Sequence, residues 1–251
     1  MPSLPSLARS FLAAVAGLTL SGLVSPLLAA PVINEIMYRP GTSYPESEGL
    51  EFIEIHNPDT TTVDISGWGI TTGADYTFPA GTVIPAGGFV VVAGNPTALK
   101  AATGLATVYG PWKTGASLAN RGEKITLSRP GSSAGSWVTV DVVTYASEGD
   151  WSTRTRDALG GWSWVSGAHD GGSSLERRNP LVAVDNGQNW ASSSAAGGTP
   201  GAANSMRSSN IAPIISQAIH SPAGPPNTGS PPISRRGSDG NTPSPPTANP
   251  Y

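Results

Sequence analysis

The chain has 251 residues, of which only 12 % are charged, with 31 Gly, 24 Pro and no Cys. That profile suits a β-rich exported protein with many tight turns, excludes long helices and coiled coils, and leaves no disulfides, thiolate zinc sites or cysteine nucleophiles. The net charge is −3, but residues 31–206 hold 10 Lys and Arg against 16 Asp and Glu while 207–251 hold three Arg and one Asp, so the folded part should repel a phosphate backbone and nucleic acid is not an expected partner.

The N-terminus reads as a targeting segment. Arg9 precedes the uncharged, apolar run SFLAAVAGLTLSGLVSPLLAA, which ends in small residues and has the pattern of a signal peptide over residues 1–30. An uncleaved anchor is the competing reading, because the run approaches the roughly 20 residues that span a bilayer. Pro26 and the Leu-Leu-Ala-Ala end favour cleavage, after which no membrane association is expected.

From residue 31 onward short alternating strands are separated by turn clusters. PVINEIMY sets Val32, Asn34 and Ile36 against Ile33, Glu35 and Met37. EFIEIHN is a period-two strand ended by Asn57-Pro58-Asp59, where proline cannot continue a central ladder. TTVDISGWGI, DYTF, GTVI, FVVVAG, EKITLSR and SWVTVDVVTYA follow as further strands, and NPTALKAATG has room for one or two helical turns. Strands recurring every 8–12 residues with Gly and Pro turns between them predict an antiparallel sandwich. Residues 147–204 are more polar but contain Trp151, Trp162, Trp164 and Trp190. They are expected to wrap the sandwich as loops and one or two edge strands, anchored by their rings. NIAPIISQAIHSP alternates like one more strand, whereas ten prolines in the last 45 residues predict a disordered tail over 205–251.

INEIMY, EFIEIHNPDTTTVDISGWGI, YTFPAGTVIPAGGFVVVAG, LANRGEKITLS, DVVTY, GGSSLERRNP and NWASSSAAGGTPGAAN together resemble the lamin-tail domain, in particular its bacterial exported versions, over residues 31–204. The resemblance implies an all-β, immunoglobulin-like antiparallel β-sandwich and a non-catalytic interaction module. The start of the tail resembles the lead-in to a further immunoglobulin-like module, so the chain is expected to be a truncated or frameshifted fragment of a larger envelope or secreted protein.

Several residue groups invite a chemical reading. Glu51, Glu54 and His56 lie within six residues. Strand alternation puts Ile53 and Ile55 toward the core with Glu51, and Glu54 and His56 on the opposite, solvated face. A zinc site would need a third protein ligand, and the chain has three His, one of them in the tail. Asp59, Asp64, Asp150, Asp157, Asp170 and Asp185 sit near turns, where carboxylates bond neighbouring amides. Loop carboxylates can also hold Ca²⁺, which makes Asp170 (in HDGG) and Asp185 (in VDNGQN) the candidate ligands of a structural calcium, the one cofactor considered. Ser173 and Ser174 in GGSSLER have no partnered His, Leu175 is expected to point inward, and Glu176 and Arg177 to form an ion pair. No catalytic residue is assigned. Trp151, Trp162 and Trp164 are the candidate binding residues, as a platform for a sugar ring. The expected function is a secreted or envelope-located adhesion module with a protein or polysaccharide partner. The alternative is the accessory binding domain of an extracellular hydrolase.

Overall fold

The computed structural model describes residues 30–41, 48–113, 115–182 and 185–211. The predicted signal peptide up to residue 29, the strand reading after residue 211 and the rest of the tail lie outside these residues.

Among the described residues, short runs of β-branched and aromatic residues bounded by Gly and Pro make thirteen strands. In chain order they are β1 (Val32–Met37), β2 (Phe52–His56), β3 (Val63–Asp64), β4 (Gly69–Thr72), β5 (Tyr76–Thr77), β6 (Val83–Ile84) and β7 (Phe89–Ala93). There follow β8 (Gly122–Pro130), β9 (Trp137–Ala146), β10 (Thr153–Arg156), β11 (Trp162–Val165), β12 (Ser173–Arg177) and β13 (Trp190–Ala196). Between β7 and β8 lies a two-turn helix, α1 (Pro96–Thr103). Its N-cap is Asn95, whose side chain accepts from Ala98 N–H, proline occupies its first turn, and Gly104 closes it in the left-handed region, the usual start and stop chemistry. Among the described residues no helix is long and apolar enough to cross a membrane.

The strands form a five-stranded sheet of order β13-β12-β1-β2-β7, a four-stranded sheet of order β5-β4-β8-β9, and two-stranded ribbons β3-β6 and β10-β11. Every pairing between these strands is antiparallel. The two larger sheets face each other across one apolar core, an immunoglobulin-like sandwich. Ile33, Ile36, Ile53, Ile55, Val92 and Leu175 come from the first sheet, and Ile70, Ile125, Leu127, Val143 and Tyr145 from the second. Burying each such side chain contributes roughly 1.5–3 kcal/mol. The predicted Asn-Pro-Asp turn after β2 is held by Asn57. Its Nδ2 donates to Thr61 O at 2.7 Å and Pro85 O at 3.0 Å, and its Oδ1 accepts from Asp59 N–H at 3.1 Å.

Three expectations need correction. The simple alternation of β1 breaks at a bulge between Ile33 and Glu35; the extra residue, Asn34, brings Ile33 and Ile36 onto the same, core-facing side. The segment after residue 147 does more than wrap the sandwich, because β12 lies inside the first sheet between β13 and β1. Glu176 and Arg177 do not pair, since neighbours along a strand point to opposite faces. Leu175 does point inward and is fully buried.

Arg177 reaches into the gap between the sheets. Its Nη1 donates to Asp141 Oδ2 on β9 at 2.7 Å and to Ile33 O at 3.1 Å, and its Nη2 donates to Val182 O at 3.1 Å. Asp141 Oδ2 also accepts from Ile33 N–H at 2.8 Å, so one carboxylate ties β9 to both β1 and β12. Removing one partner of a buried pair strands the other charge. Arg177→Ala is therefore expected to lower the unfolding free energy by about 3–5 kcal/mol, read from the midpoint of urea denaturation, whereas Arg178→Ala should change it far less.

Candidate functional site

Glu54 and His56 do not face water. Both are buried, as is Glu51, because the outer face of the five-stranded sheet has its own cover. Met37, Phe52, Val91 and Ala93 are capped there by Leu99 of α1 and by Val108. The rest of that face carries a row of carboxylates. Glu35 on β1 is in register with Glu176 on β12 and with Glu54 on β2, so three glutamates stand side by side on adjacent strands, all fully buried.

A strap of residues 197–206, following β13, lies over this row and supplies its donors. Glu35 Oε1 accepts from Ser174 Oγ at 2.5 Å and from Thr199 N–H at 2.8 Å. Glu54 accepts from Asn34 Nδ2 at 2.8 Å and from Gly201 N–H at 2.6 Å. Glu176 accepts from Thr199 Oγ1 at 2.8 Å, Ser205 Oγ at 2.9 Å and Met206 N–H at 2.7 Å. Asn204 completes the lock, its Nδ2 donating to Asn34 O and Arg177 O, each at 2.9 Å. Gly198 has φ +71°, and a Cβ there would collide with Glu35 Oε1 and Ser174 Oγ, so the strap reaches the row only with glycine at this position.

Burial pushes the Glu35 carboxyl up to about 7, aided by the neighbouring Glu176 charge and opposed by the Ser174 and Thr199 hydrogen bonds. Glu54 is likewise held well above the ordinary carboxylate range, by burial first and then by the Glu35 charge. Thr199 Oγ1 also lies 3.3 Å from Glu35 Oε2, yet a hydroxyl has one proton and Glu176 takes it. A proton on Glu35 Oε2 donated to Thr199 Oγ1 satisfies all three groups. Because the carboxylate oxygens meet N–H and O–H donors, the row is a structural lock rather than a ligand set. Among the described residues no group of His, Asp and Glu is arranged to hold a metal ion.

The other polar candidates are equally occupied. His56 is held neutral, its pKa lowered by burial; its Nδ1 lies 3.0 Å from Gly88 O and its ring stacks on Phe89 at 4.5 Å. Glu51 Oε2 accepts from Leu118 N–H at 3.0 Å. The two calcium candidates take different protein partners: Asp170 lies 3.3 Å from Arg39 Nη1, and Asp185 accepts from Thr144 N–H at 2.6 Å. Asp59, Asp64 and Asp157 each accept from nearby backbone amides, as turn carboxylates should. Gly131–Gly135 has G-x-S-x-G spacing, but a nucleophile elbow joins a strand to a helix, and this stretch is the exposed turn between β8 and β9, closed by Ser136 Oγ donating to Ser133 O at 2.7 Å.

Among the described residues the β10-β11 ribbon exposes Leu159, Trp162, Trp164 and Val165, while Val83, Trp137, Val138 and Leu181 are exposed elsewhere. Arg154 pairs with Trp164 and Arg156 with Trp162 across the strands, so one face presents two Arg and two Trp and the other Thr, Ser and Val. The Arg154 guanidinium lies 4.1 Å from the Trp162 ring and 5.8 Å from Trp164, and Arg156 lies 5.6 Å from Trp162. Cation–π contacts of this kind help hold a two-stranded ribbon that is marginal alone. Asp157 closes its turn by accepting from Leu159 and Gly161 N–H. Trp151 does not belong with this pair: it is half-buried and packs on Trp190 at 5.9 Å, so it anchors the loop instead of offering a platform.

Trp164 also borders a polar cavity of about 220 Å³ lined by Arg121, Ser147, Glu148, His169 and Asp170. His169 is a fixed wall, its Nε2 2.9 Å from Arg39 Nη1 and its Nδ1 3.0 Å from Asn120 O. The guanidinium can only donate, so Nε2 accepts and the proton sits on Nδ1. A second, more apolar cavity of about 340 Å³ opens between α1 and the strap, beside Met37, Phe52, Leu99 and Pro200.

Residues 28–147 match the Lamin Tail Domain family. This segment is a lamin tail domain. Comparison with curated proteins and with solved structures gave no significant match. The family is one of non-enzymatic, immunoglobulin-like domains, in keeping with a sandwich whose buried acids are spent on packing. The match to the lamin tail domain ends just after β9. The ribbon, β12, β13 and the strap lie beyond it, although β12 and the strap are bonded directly to β1.

The glutamate row makes the stability of the sandwich depend on pH. Between 4.5 and about 7 the folded state keeps the Glu35 proton that the unfolded chain loses. The native state then binds more protons, so stability falls as pH rises through that window, by on the order of 3 kcal/mol from Glu35, and the raised Glu54 adds a fall of the same sign. Glu35→Gln reproduces the protonated group, with Nε2 donating to Thr199 Oγ1. It is expected to reduce the slope of melting temperature against pH between 4.5 and 7, as measured by calorimetry. A variant as pH-sensitive as the parent would contradict this role.

Proposed function

We propose that the chain is an exported, non-catalytic interaction module of the lamin-tail type, which adheres to an envelope partner through its β10-β11 ribbon. One observation carries this reading. Leu159, Trp162, Trp164 and Val165 are 98 %, 56 %, 45 % and 53 % exposed and lie together on one hairpin. Clustered exposed apolar groups mark contact sites, and Trp and Arg are the residues most often found at the energetic centre of an interface.

Export is supported by the leader, in which Arg9 precedes an uncharged apolar run ending in Leu-Leu-Ala-Ala. The absence of cysteine also fits a sandwich held by its core alone. N-terminal sequencing of protein recovered from the medium or envelope should give a start near Pro31; an intact Met1 would refute removal of the leader.

For the contact itself, the full chain and its Trp162→Ala/Trp164→Ala variant are immobilised and exposed to an envelope fraction. The parent should retain material that the variant does not. The two large sheets should keep their unfolding midpoint, because the ribbon carrying both rings is a separate two-stranded sheet. Equal retention by both proteins would refute the assignment to the ribbon.

A further inference from the structure

We infer that the cavity beside Trp164 is a subsite for one pyranose residue of a neutral polysaccharide. The inference rests on the reading of the ribbon as the contact element and names the class of molecule it contacts. It concerns residues that mostly lie beyond the family match.

The two exposed tryptophans are not equivalent. Trp162 has Arg154 at 4.1 Å and Arg156 at 5.6 Å over its ring, so its π surface is occupied within the ribbon. Trp164 has one guanidinium, more distant at 5.8 Å, and borders the cavity. Trp162 is therefore the clamp of the hairpin and Trp164 the platform. The face of a pyranose presents C–H groups with partial positive charge, which suit the negative face of an indole.

Around the platform stand both donors and acceptors. Among the described residues the side chains of Arg121 and Glu148 have no hydrogen-bond or ion-pair partner, so a guanidinium fork and a carboxylate are available to adjacent hydroxyls. Asp170 offers a second carboxylate whose charge is offset by Arg39 at 3.3 Å. His169, fixed by its two hydrogen bonds, forms a wall that does not adjust. The charges at the rim balance, with Arg121 against Glu148 and Arg39 against Asp170. A polyanion would gain little here and would meet a folded part with 16 acids against 10 bases. An apolar peptide would find few apolar walls besides the indole. A neutral ring that is apolar on its face and hydroxylated at its edge matches both parts. The volume of about 220 Å³ falls below the roughly 300–1,000 Å³ of sites for drug-sized ligands, a scale suited to a single sugar unit.

The test titrates the full chain with neutral gluco-, manno- and chito-hexaoses and with a hexauronate, following tryptophan fluorescence and heat. Saturable binding of at least one neutral hexaose is expected, insensitive to salt because no net charge is matched. Trp164→Ala should weaken it by roughly tenfold or more, Glu148→Gln by a smaller factor, and Leu181→Ser, at an exposed position elsewhere, not at all. Failure of every neutral hexaose to bind, with envelope capture through the ribbon intact, overturns the sugar inference and leaves the ribbon reading standing. Loss of both overturns both. Sugar binding that survives Trp164→Ala overturns the location, and binding of the hexauronate alone, abolished by salt, overturns the neutrality of the ligand.

Discussion

Three carboxylates standing in one dry row would push their strands apart unless something met each oxygen with a proton. That constraint organises this molecule. Burial raises Glu35 and Glu54 toward their neutral forms, and the strap from Gly197 to Met206 brings backbone amides, hydroxyls and the Asn204 amide to the row. Leaving a buried acceptor unmade costs about 1–3 kcal/mol, more for a charged one. Loss of the strap would thus affect several groups at once. The cover also explains why the outer face of the five-stranded sheet is as buried as its inner one.

The same constraint separates structure from function. Acids that resemble catalytic machinery in the sequence are consumed in holding the sandwich together, and Arg177 and Asp141 are consumed in holding its sheets to each other. The contact surface proposed above lies apart from these groups, on the ribbon whose one face carries Arg and Trp and at the polar cavity against Trp164.

Much of the sandwich was legible in the sequence because it is local. Ile53 and Ile55 against the core, the turn at Asn57-Pro58-Asp59 and the short helix after Asn95 follow from period and punctuation over a few residues. Glu54 and His56 were misread for a specific reason. Period two assigns a side chain to a face, but cannot say whether a segment 147 residues later will cover that face, as Gly201 does over Glu54. The bulge at Asn34 is similarly invisible until its partner strand is known. The ribbon could have been found: R-T-R and W-S-W are two alternating runs separated by a Gly-Gly turn. Its strands alternate Arg and Trp with Thr and Ser, so no aliphatic period marked it, and the sequence did not separate Trp151, an anchor, from Trp162 and Trp164.

The strap has a consequence for how the chain comes to be folded. Glu35 is met by Thr199, 164 positions away, and Asn34 by Asn204, 170 positions away. Contacts between such distant positions form late, because the closure entropy of the intervening chain must be overcome before any reward is felt. While the polypeptide is being made, Glu35 on its first strand therefore lacks Thr199, and it remains hydrated and ionised. The glutamate row can be locked only after residues 199–206 have been made, so the strap acts as a timer that keeps this face from closing early.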